Sequence, residues 1–112
     1  AISAAGKTTL AAWETAGRVH LGKFSAAEWK PELRAVGPLK GAKHPRLATN
    51  GRGETLMVWT EGTGWQRGGS LAWQIFDAQG TPTDDKGKRD GVAAWSYATA
   101  YARPDGDFVI LH

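Results

Sequence analysis

The sequence predicts an antiparallel all-β domain, and three observations support this fold class. Short runs of β-forming residues recur roughly every 8–12 residues, with turn-forming residues between them. The 112 residues include 15 glycines and five prolines, which suit such turns. Helix-forming residues are concentrated only at 26–34, where Pro31 interrupts them. An internal repeat, described below, adds to these three observations.

Five strands are predicted from these runs. They cover residues 7–14, 18–24, 54–60, 70–77 and 107–112. Apolar residues alternate along 70–77, so Leu71, Trp73 and Ile75 are expected on one face of that strand, with Ala72, Gln74 and Phe76 on the other. Residues 56–59 (LMVW) are apolar at every position, which predicts a strand buried between two stacked sheets.

Three dipeptides are expected to close tight turns, because Asn, Asp and Gly tolerate a positive φ. They are Asn50-Gly51, Asp90-Gly91 and Asp105-Gly106. The charged stretch 84–90 (DDKGKRD) has no net charge and is interpreted as a solvated loop, as is the basic stretch 40–46.

The internal repeat defines a larger unit. Residues 9–13 (TLAAW) recur as 55–59 (TLMVW), and 52–59 (RGETLMVW) align with 105–112 (DGDFVILH). A segment of small residues precedes each copy, at 2–5, 45–48 and 97–102. The unit is a first strand, a turn, a second strand ending in Trp or His, a loop, a third strand and a weaker fourth. A repeat of ~40–50 residues with about four strands is typical of a β-propeller blade.

Two stretches of the chain resemble a known family. Residues 44–65 (HPRLATNGRGETLMVWTEGTGW) and 68–83 (GGSLAWQIFDAQGTPT) resemble a blade of the bacterial neuraminidase-repeat, or sialidase-like, propellers. The shared pattern is a Pro-led inner strand, a Gly turn, an apolar strand ending in Trp, and an "fD-x-x-G-x-p" hairpin.

This resemblance implies a single all-β domain with four-stranded antiparallel blades. Residues 1–38 would form one blade, 43–90 a second, and 91–112 the first two strands of a third. Propellers have about four to eight blades, so the ring would be incomplete within one chain. Copies could close the ring, the chain could belong to a larger protein, or the strands could close as a sandwich or barrel. The resemblance also implies a location outside the cytoplasm, secreted or periplasmic.

Departures from the family pattern argue against catalysis. Sialidase repeats usually carry an Asp box, S-x-D-x-G-x-x-W, and the nearest match, 25–29 (SAAEW), lacks both its aspartate and its glycine. No arginine triad, acid or Tyr/Glu nucleophile pair can be assigned, so no catalytic residue is predicted. A fragment of a sialidase-like glycosidase remains an alternative.

Other kinds of site lack their sequence signatures. Without cysteine there are no disulfides, thiolate nucleophiles or cysteine-based zinc sites. His20, His44 and His112 lack metal-ligand spacing, and Gly6-Lys7-Thr8 lacks the first glycine of a phosphate loop, so no metal and no cofactor are expected. No apolar run approaches the ~20 residues of a membrane span. The net charge is +3 with scattered basic residues, so no nucleic-acid partner is expected.

The tryptophans divide into two groups. Trp13, Trp59 and Trp73 lie in predicted strands and are expected to pack between blades. Trp65 lies in the polar loop 61–69, either folded over the sheet or displayed for binding, since indole faces stack well on sugar rings.

In a propeller, that loop shares one rim with the segments leading into each first strand. The rim would gather Trp65, Glu61 and Arg67 near Lys43, His44, Arg46, Arg89 and Trp95. The predicted ligand-binding residues are Trp65, Glu61, Arg67, His44, Arg46 and Trp95. A Trp/Arg-rich rim also suits an assembly interface.

The sequence therefore favours a non-catalytic binding or interaction module. One alternative is a glycan-binding lectin that closes its ring by self-association. Open strand edges predict self-association or contact with a larger parent protein.

Overall fold

The chain forms ten β-strands in a computed structural model that describes residues 1–5, 8–25, 31–38, 40–64, 66–94 and 96–112. Within these ranges no helix is present. The strands are β1 (Ile2–Ala5), β2 (Thr8–Thr15), β3 (Arg18–Ser25), β4 (Glu32–Val36), β5 (Ala42–Thr49), β6 (Thr55–Glu61), β7 (Gly69–Phe76), β8 (Pro82–Val92), β9 (Thr99–Ala102) and β10 (Phe108–Leu111).

Each strand pairs antiparallel with its neighbour in sequence, which produces three sheets. Sheet one has the order β1-β2-β3-β4, sheet two the order β5-β6-β7-β8, and sheet three consists of β9 and β10. The predicted all-β class with antiparallel sheets is confirmed. All five predicted strands are present, as β2, β3, β6, β7 and β10, with ends that differ by one residue or so.

The two predicted solvated loops are wrong. Residues 84–90 lie within β8, and residues from Ala42 onward belong to β5. Among the described strands, β8 pairs only with β7, so it lies at the edge of sheet two, and its side chains are mostly exposed. Charged residues are favoured on such an edge because they discourage pairing with other chains, and this hides the alternating pattern by which strands are recognised.

Three turns share one hydrogen-bonding pattern. In the turns starting at Asn50, Asp77 and Arg103, the first residue accepts a bond from the N–H of a glycine three positions later, namely Gly53, Gly80 and Gly106. Each of these glycines has a positive φ. Such a turn needs a left-handed residue at its fourth position, which glycine supplies at little cost. The turn at Asp105-Gly106 is confirmed, whereas the left-handed glycine after Asn50 is Gly53 and not Gly51.

The predicted turn at Asp90-Gly91 is wrong. Both residues lie in β8, where the register shifts between Gly69 and Ser70 of the partner strand. Gly91, with φ of 98°, is the extra residue of a β-bulge. Dipeptides that permit a left-handed residue suit bulges as well as turns.

The core has two layers, one on each side of sheet two. Met57 and Trp59 of β6 face sheet one, and Leu56 and Val58 face sheet three. All four are buried, which confirms the prediction of a strand between two sheets.

The side chains of β7 alternate as predicted. Ala72 and Phe76 belong to the layer toward sheet one, and Leu71, Trp73 and Ile75 belong to the layer toward sheet three. The first layer comprises Leu10, Ala12, Val19, Leu21, Ala42, Met57, Trp59, Ala72 and Phe76. The second comprises Leu56, Val58, Leu71, Val92 and Ala98, with Trp73, Ile75, Ala100, Phe108 and Ile110 packed against it.

The tryptophans of the repeat differ in burial. Trp59 is buried in the first layer. Trp13, at the corresponding position of sheet one, is half-buried and stacks on His20, with ring centroids 5.7 Å apart. Trp13 lies on the face of sheet one opposite the core, near Phe24 and Leu33. No described sheet covers that face.

Candidate functional site

The loop between β6 and β7 is held close to sheet two by its own backbone. Gly64 and Arg67 exchange two backbone hydrogen bonds of 2.9 and 3.1 Å, which close the tip of the loop. Buried Thr63 accepts a 3.1 Å bond from Lys43 Nζ on its carbonyl oxygen. Lys43 therefore reaches this loop. Trp65 lies outside the described residues.

Glu61 is engaged by two neighbours in the same sheet. Its Oε1 accepts a 2.8 Å bond from Trp59 Nε1, and its Oε2 forms a 2.8 Å ion pair with Lys88 Nζ. The carboxylate raises the pKa of the Lys88 ammonium above its ordinary value of 10.5, because a hydrogen bond and an opposite charge favour the protonated amine. These two contacts hold the Glu61 carboxylate in one orientation.

Glu61 and Arg67 line one open depression of about 570 Å³, which we call the rim site. Its wall on the β4–β5 side contains Pro38, Lys40 and Gly41, and its opposite wall contains Glu61, Gly62, Arg67, Gly68, Gly69, Ser70 and Lys88. The Ser70 hydroxyl donates a 2.5 Å hydrogen bond to Asp90, so this wall is also ordered. Gly69 is required there, because a Cβ at this position would lie 2.1 Å from the Glu61 carbonyl oxygen.

The cations of the rim site differ in their pairing. Lys88 is neutralised by Glu61, whereas Lys40 and Arg67 are exposed and form no ion pair with another described residue. The site therefore combines a fixed carboxylate wall with two available positive charges. Such a surface can bind a ligand that offers anionic groups or several hydroxyls.

His44 and Arg46 form a second group, which we call the Tyr97 cluster. The rings of His44 and Tyr97 have centroids 5.7 Å apart, and the Arg46 guanidinium carbon lies 5.9 Å from the centre of the Tyr97 ring. Tyr97 is 57% exposed. The cluster therefore offers an aromatic face with adjacent cationic and imidazole groups.

A β-bulge brings His44 and Arg46 to Tyr97. The register of β5 against β6 shifts between Lys43 and Arg46, and His44 has a left-handed φ of 55°. Pro45 within the bulge has no N–H to pair with the neighbouring strand, which suits an irregular position. The conformation turns the His44 ring toward Tyr97 and places Nδ1 3.5 Å from the Thr60 hydroxyl.

The structure divides the predicted site residues into these two groups. Glu61 and Arg67 belong to the rim site, and His44 and Arg46 belong to the Tyr97 cluster. No hydrogen bond or ion pair joins the two groups within the described ranges. Trp95, like Trp65, lies outside the described residues.

Three charged or aromatic residues of these two groups were not predicted from the sequence: Tyr97, Lys40 and Lys88, the last of which lies in the stretch 84–90. Tyr97 stands at the start of a segment of small residues, which suggested an inner strand and no contact. Lys40 was assigned to a solvated loop. A signal for Lys40 was present in Gly37 and Gly41 around it, both of which have a positive φ and turn the loop toward the rim.

Metal ligands and membrane-spanning helices are two further features that the described ranges could contain. These residues contain no group of three His, Cys, Asp or Glu side chains placed to hold a metal ion. They also contain no helix long and apolar enough to cross a membrane.

Comparisons with known proteins found no matching family model and no significant match among curated proteins or solved structures. The sialidase-like resemblance therefore stays a prediction.

Proposed function

We propose that this chain is a non-catalytic binding module of the β-propeller type that acts outside the cytoplasm and binds its ligand at the rim site. The observation that carries the proposal is the pair of exposed cations, Lys40 and Arg67, beside a fixed Glu61–Lys88 wall. The best-fitting ligand is an acidic glycan, because its hydroxyls and carboxylates complement this mixture of groups.

The stacking of the sheets supports the propeller part of the proposal. The first strand of sheet two, β5, contacts the first strands of the sheets on both sides, β1 and β9. Trp59 on the second strand faces the preceding sheet. First strands that adjoin, with sheets stacked face to face around them, are the arrangement of propeller blades.

The ligand can be tested with a panel of neutral and acidic oligosaccharides in titration calorimetry. We expect binding of acidic members and a loss of about tenfold in Arg67→Ala and in Lys40→Ala, as for one charged hydrogen bond. Lys86→Ala is the matched control, since it removes an exposed lysine of sheet two that does not line the rim site. Equal losses in all three variants would indicate non-specific charge attraction and reject the site.

Trp65→Ala and Tyr97→Ala separate the two surfaces of the rim. A glycan that uses the rim site together with the Trp65 loop should lose affinity in Trp65→Ala. Tyr97→Ala should matter only if the ligand also reaches the Tyr97 cluster. Turnover of a chromogenic sialoside would replace this proposal with the glycosidase alternative.

We propose in addition that copies of the chain associate through open faces and edges. Sheet one leaves Phe24 and Leu33 40% and 61% exposed on the face away from the core, and sheet three exposes Tyr101 and Leu111. Apolar surfaces at opposite ends of the stack favour head-to-tail contacts, which close into rings when the rotation permits. Light scattering behind a sizing column should show a discrete oligomer that dissociates in Leu33→Glu. A monomer at high concentration would reject self-association.

A further inference from the structure

A second cavity, which we call the inter-sheet pocket, opens between sheet one and sheet two and adjoins the rim site. Its volume is about 440 Å³, within the range of about 300–1,000 Å³ that small-molecule sites have. Glu61 and Lys88 line both cavities, so the ion pair between them forms a shared wall. A ligand in the rim site that extends along this wall enters the inter-sheet pocket.

Small residues on both sheets keep the inter-sheet pocket open. Gly37, directly after β4, has a φ of 74°, and a Cβ there would lie 3.0 Å from the Trp59 ring. Val36 on sheet one and Ala72 on sheet two add apolar surface to the lining. An apolar lining with a few fixed polar groups is typical of sites that hold and orient a small ligand.

The Gln74 side chain supplies the pocket with a fixed hydrogen-bond acceptor. It lines the pocket and is only 8% exposed. Its Nε2 donates to the carbonyl oxygens of Ile75 and Thr83, at 2.8 and 2.7 Å. Its Oε1 accepts no bond from any residue that the structure describes. Because buried polar groups are usually paired, this oxygen is available to a donor on a ligand.

The charges around the pocket favour an uncharged occupant that carries donors. The Glu61 carboxylate and the Gln74 amide oxygen are both acceptors, so they attract hydroxyl groups and repel a second carboxylate. Lys88 is already neutralised by Glu61. Lys86 lies at the exposed margin of the pocket, and an uncharged unit forms no ion pair with it. Lys86→Ala therefore remains a control for charge at the rim site.

We propose that the two cavities together bind an oligosaccharide of at least two units, with an acidic unit in the rim site and an adjoining uncharged unit in the inter-sheet pocket. A hydroxyl of the uncharged unit donates to Gln74 Oε1, and the apolar face of its ring lies against Val36 and the Gly37 backbone. This inference rests on the proposed function for the acidic unit and adds the kind of sugar that adjoins it.

Three kinds of probe, titrated into the unaltered protein by calorimetry, test the second unit. They are glucuronic acid alone, glucuronic acid linked to glucose in either order, and two linked glucuronic acids. We expect one glucose-linked form to bind about tenfold more tightly than glucuronic acid alone, as for one hydrogen bond with apolar contact. The second acidic unit should add no affinity.

The probes distinguish failure of this inference from failure of the proposed function. Glucuronic acid that binds as tightly as both glucose-linked forms would overturn the inference and leave the rim site standing. Tighter binding of two linked glucuronic acids than of either glucose-linked form would overturn the uncharged unit. No binding of any probe would reject an acidic glycan at the rim site, and with it the proposed function.

Fluorinated glucose units test the bond to Gln74. Replacing one hydroxyl at a time by fluorine keeps the size of the unit but removes one donor. Fluorine at one position should remove most of the tenfold gain, since the Gln74 oxygen then has no donor. Equal affinity for all the fluorinated forms would overturn this bond.

Gly37→Ala tests the pocket from the side of the protein. The added methyl group crowds Trp59 and should reduce the preference for the glucose-linked form by about fivefold. Gly91→Ala is the matched control, because Gly91 also has a positive φ but has no neighbour within 4 Å and lines neither cavity. A folded Gly37→Ala protein that keeps the full preference would overturn the placement of the second unit. The comparison of probes on the unaltered protein stands even if Gly37→Ala folds poorly.

Discussion

The Asn50 side chain donates a 2.9 Å hydrogen bond from Nδ2 to the carbonyl oxygen of Gly106. This contact joins the β5–β6 turn to the β9–β10 turn, 56 residues away in the chain. Asn50 also accepts bonds from the N–H groups of Arg52 and Glu54, so one side chain both shapes its own turn and links sheet two to sheet three. Arg52 reinforces the link through the carbonyls of Asp105 and Gly106.

Asn50→Ala should destabilise the protein by about 1–3 kcal/mol, because the side chain is only 7% exposed and its loss leaves buried partners unpaired. Urea unfolding at neutral pH measures the change. Asp105→Ala is the control, since its exposed side chain accepts a single backbone bond from Asp107 and should matter less. Asn50→Asp keeps the two acceptor bonds but loses both Nδ2 bonds, to Gly106 and to the Glu54 carboxylate, and places a second carboxylate beside Glu54, so it should also be less stable than the parent at neutral pH. Equal stability of Asn50→Asp and the parent would show that the link contributes nothing.

The Glu54 carboxylate gives the same region a dependence on pH. Hydrogen bonds from Asn50 and then Arg52 lower the pKa of Glu54 below its ordinary value of 4.5. A lowered pKa in the folded state means that Glu54 stabilises the fold above pH 4.5, and that this contribution disappears as the pH falls through the folded value. The contribution is small because the side chain is partly exposed.

We therefore expect the stability of Glu54→Gln to fall less steeply than that of the parent below pH 4.5. Urea unfolding midpoints measured from neutral to acid pH give the pH dependence of stability for both proteins. Carbon-detected NMR titration of the Glu54 carboxyl measures its pKa directly. Identical acid slopes for the two proteins would contradict the assignment.

Sequence patterns predicted the parts of the fold that depend on side-chain period. The apolar run at 56–59 and the alternation at 70–77 reflect burial on both sides of sheet two, which the structure confirms. β8 was missed because an edge strand needs no apolar face, and Asp90-Gly91 was misassigned because the same backbone freedom serves turns and bulges. Local patterns do not show which strand lies at an edge.

The candidate site was less predictable because it depends on contacts between distant segments. Glu61 remains a predicted ligand-binding residue, but its contacts with Trp59 and Lys88 were not predictable, because they depend on how β6, β7 and β8 pair. His44 and Arg46 were expected beside the loop 61–69, but the bulge at Pro45 directs them to Tyr97. A bulge changes the side-chain phase of a strand, and no residue pattern near Pro45 required one.

The double burial of β6 leads to a mutational prediction. Leu56→Ala and Met57→Ala should each destabilise the protein by about 2–5 kcal/mol, although the residues are adjacent, because each leaves a cavity in a different core layer. Leu111→Ala is the control, since that side chain is half exposed and should change stability much less. Urea unfolding followed by circular dichroism measures all three. A neutral Leu56→Ala would contradict the packing of sheet three on sheet two.

Gly87 leaves room for the Trp73 ring within sheet two. It lies opposite Trp73 in the register of β7 and β8, and a Cβ at Gly87 would lie 2.3 Å from the indole ring. Gly87→Ala should therefore cost about 1–3 kcal/mol of stability, because the rigid ring must move. Gly51→Ala is the matched control: it has no neighbour within 4 Å and no positive φ, so its stability should be unchanged or slightly raised. Urea unfolding measures stability, and near-ultraviolet circular dichroism reports the displacement of the indole. Equal stability of Gly87→Ala and Gly51→Ala would contradict the packing of the Trp73 ring over Gly87.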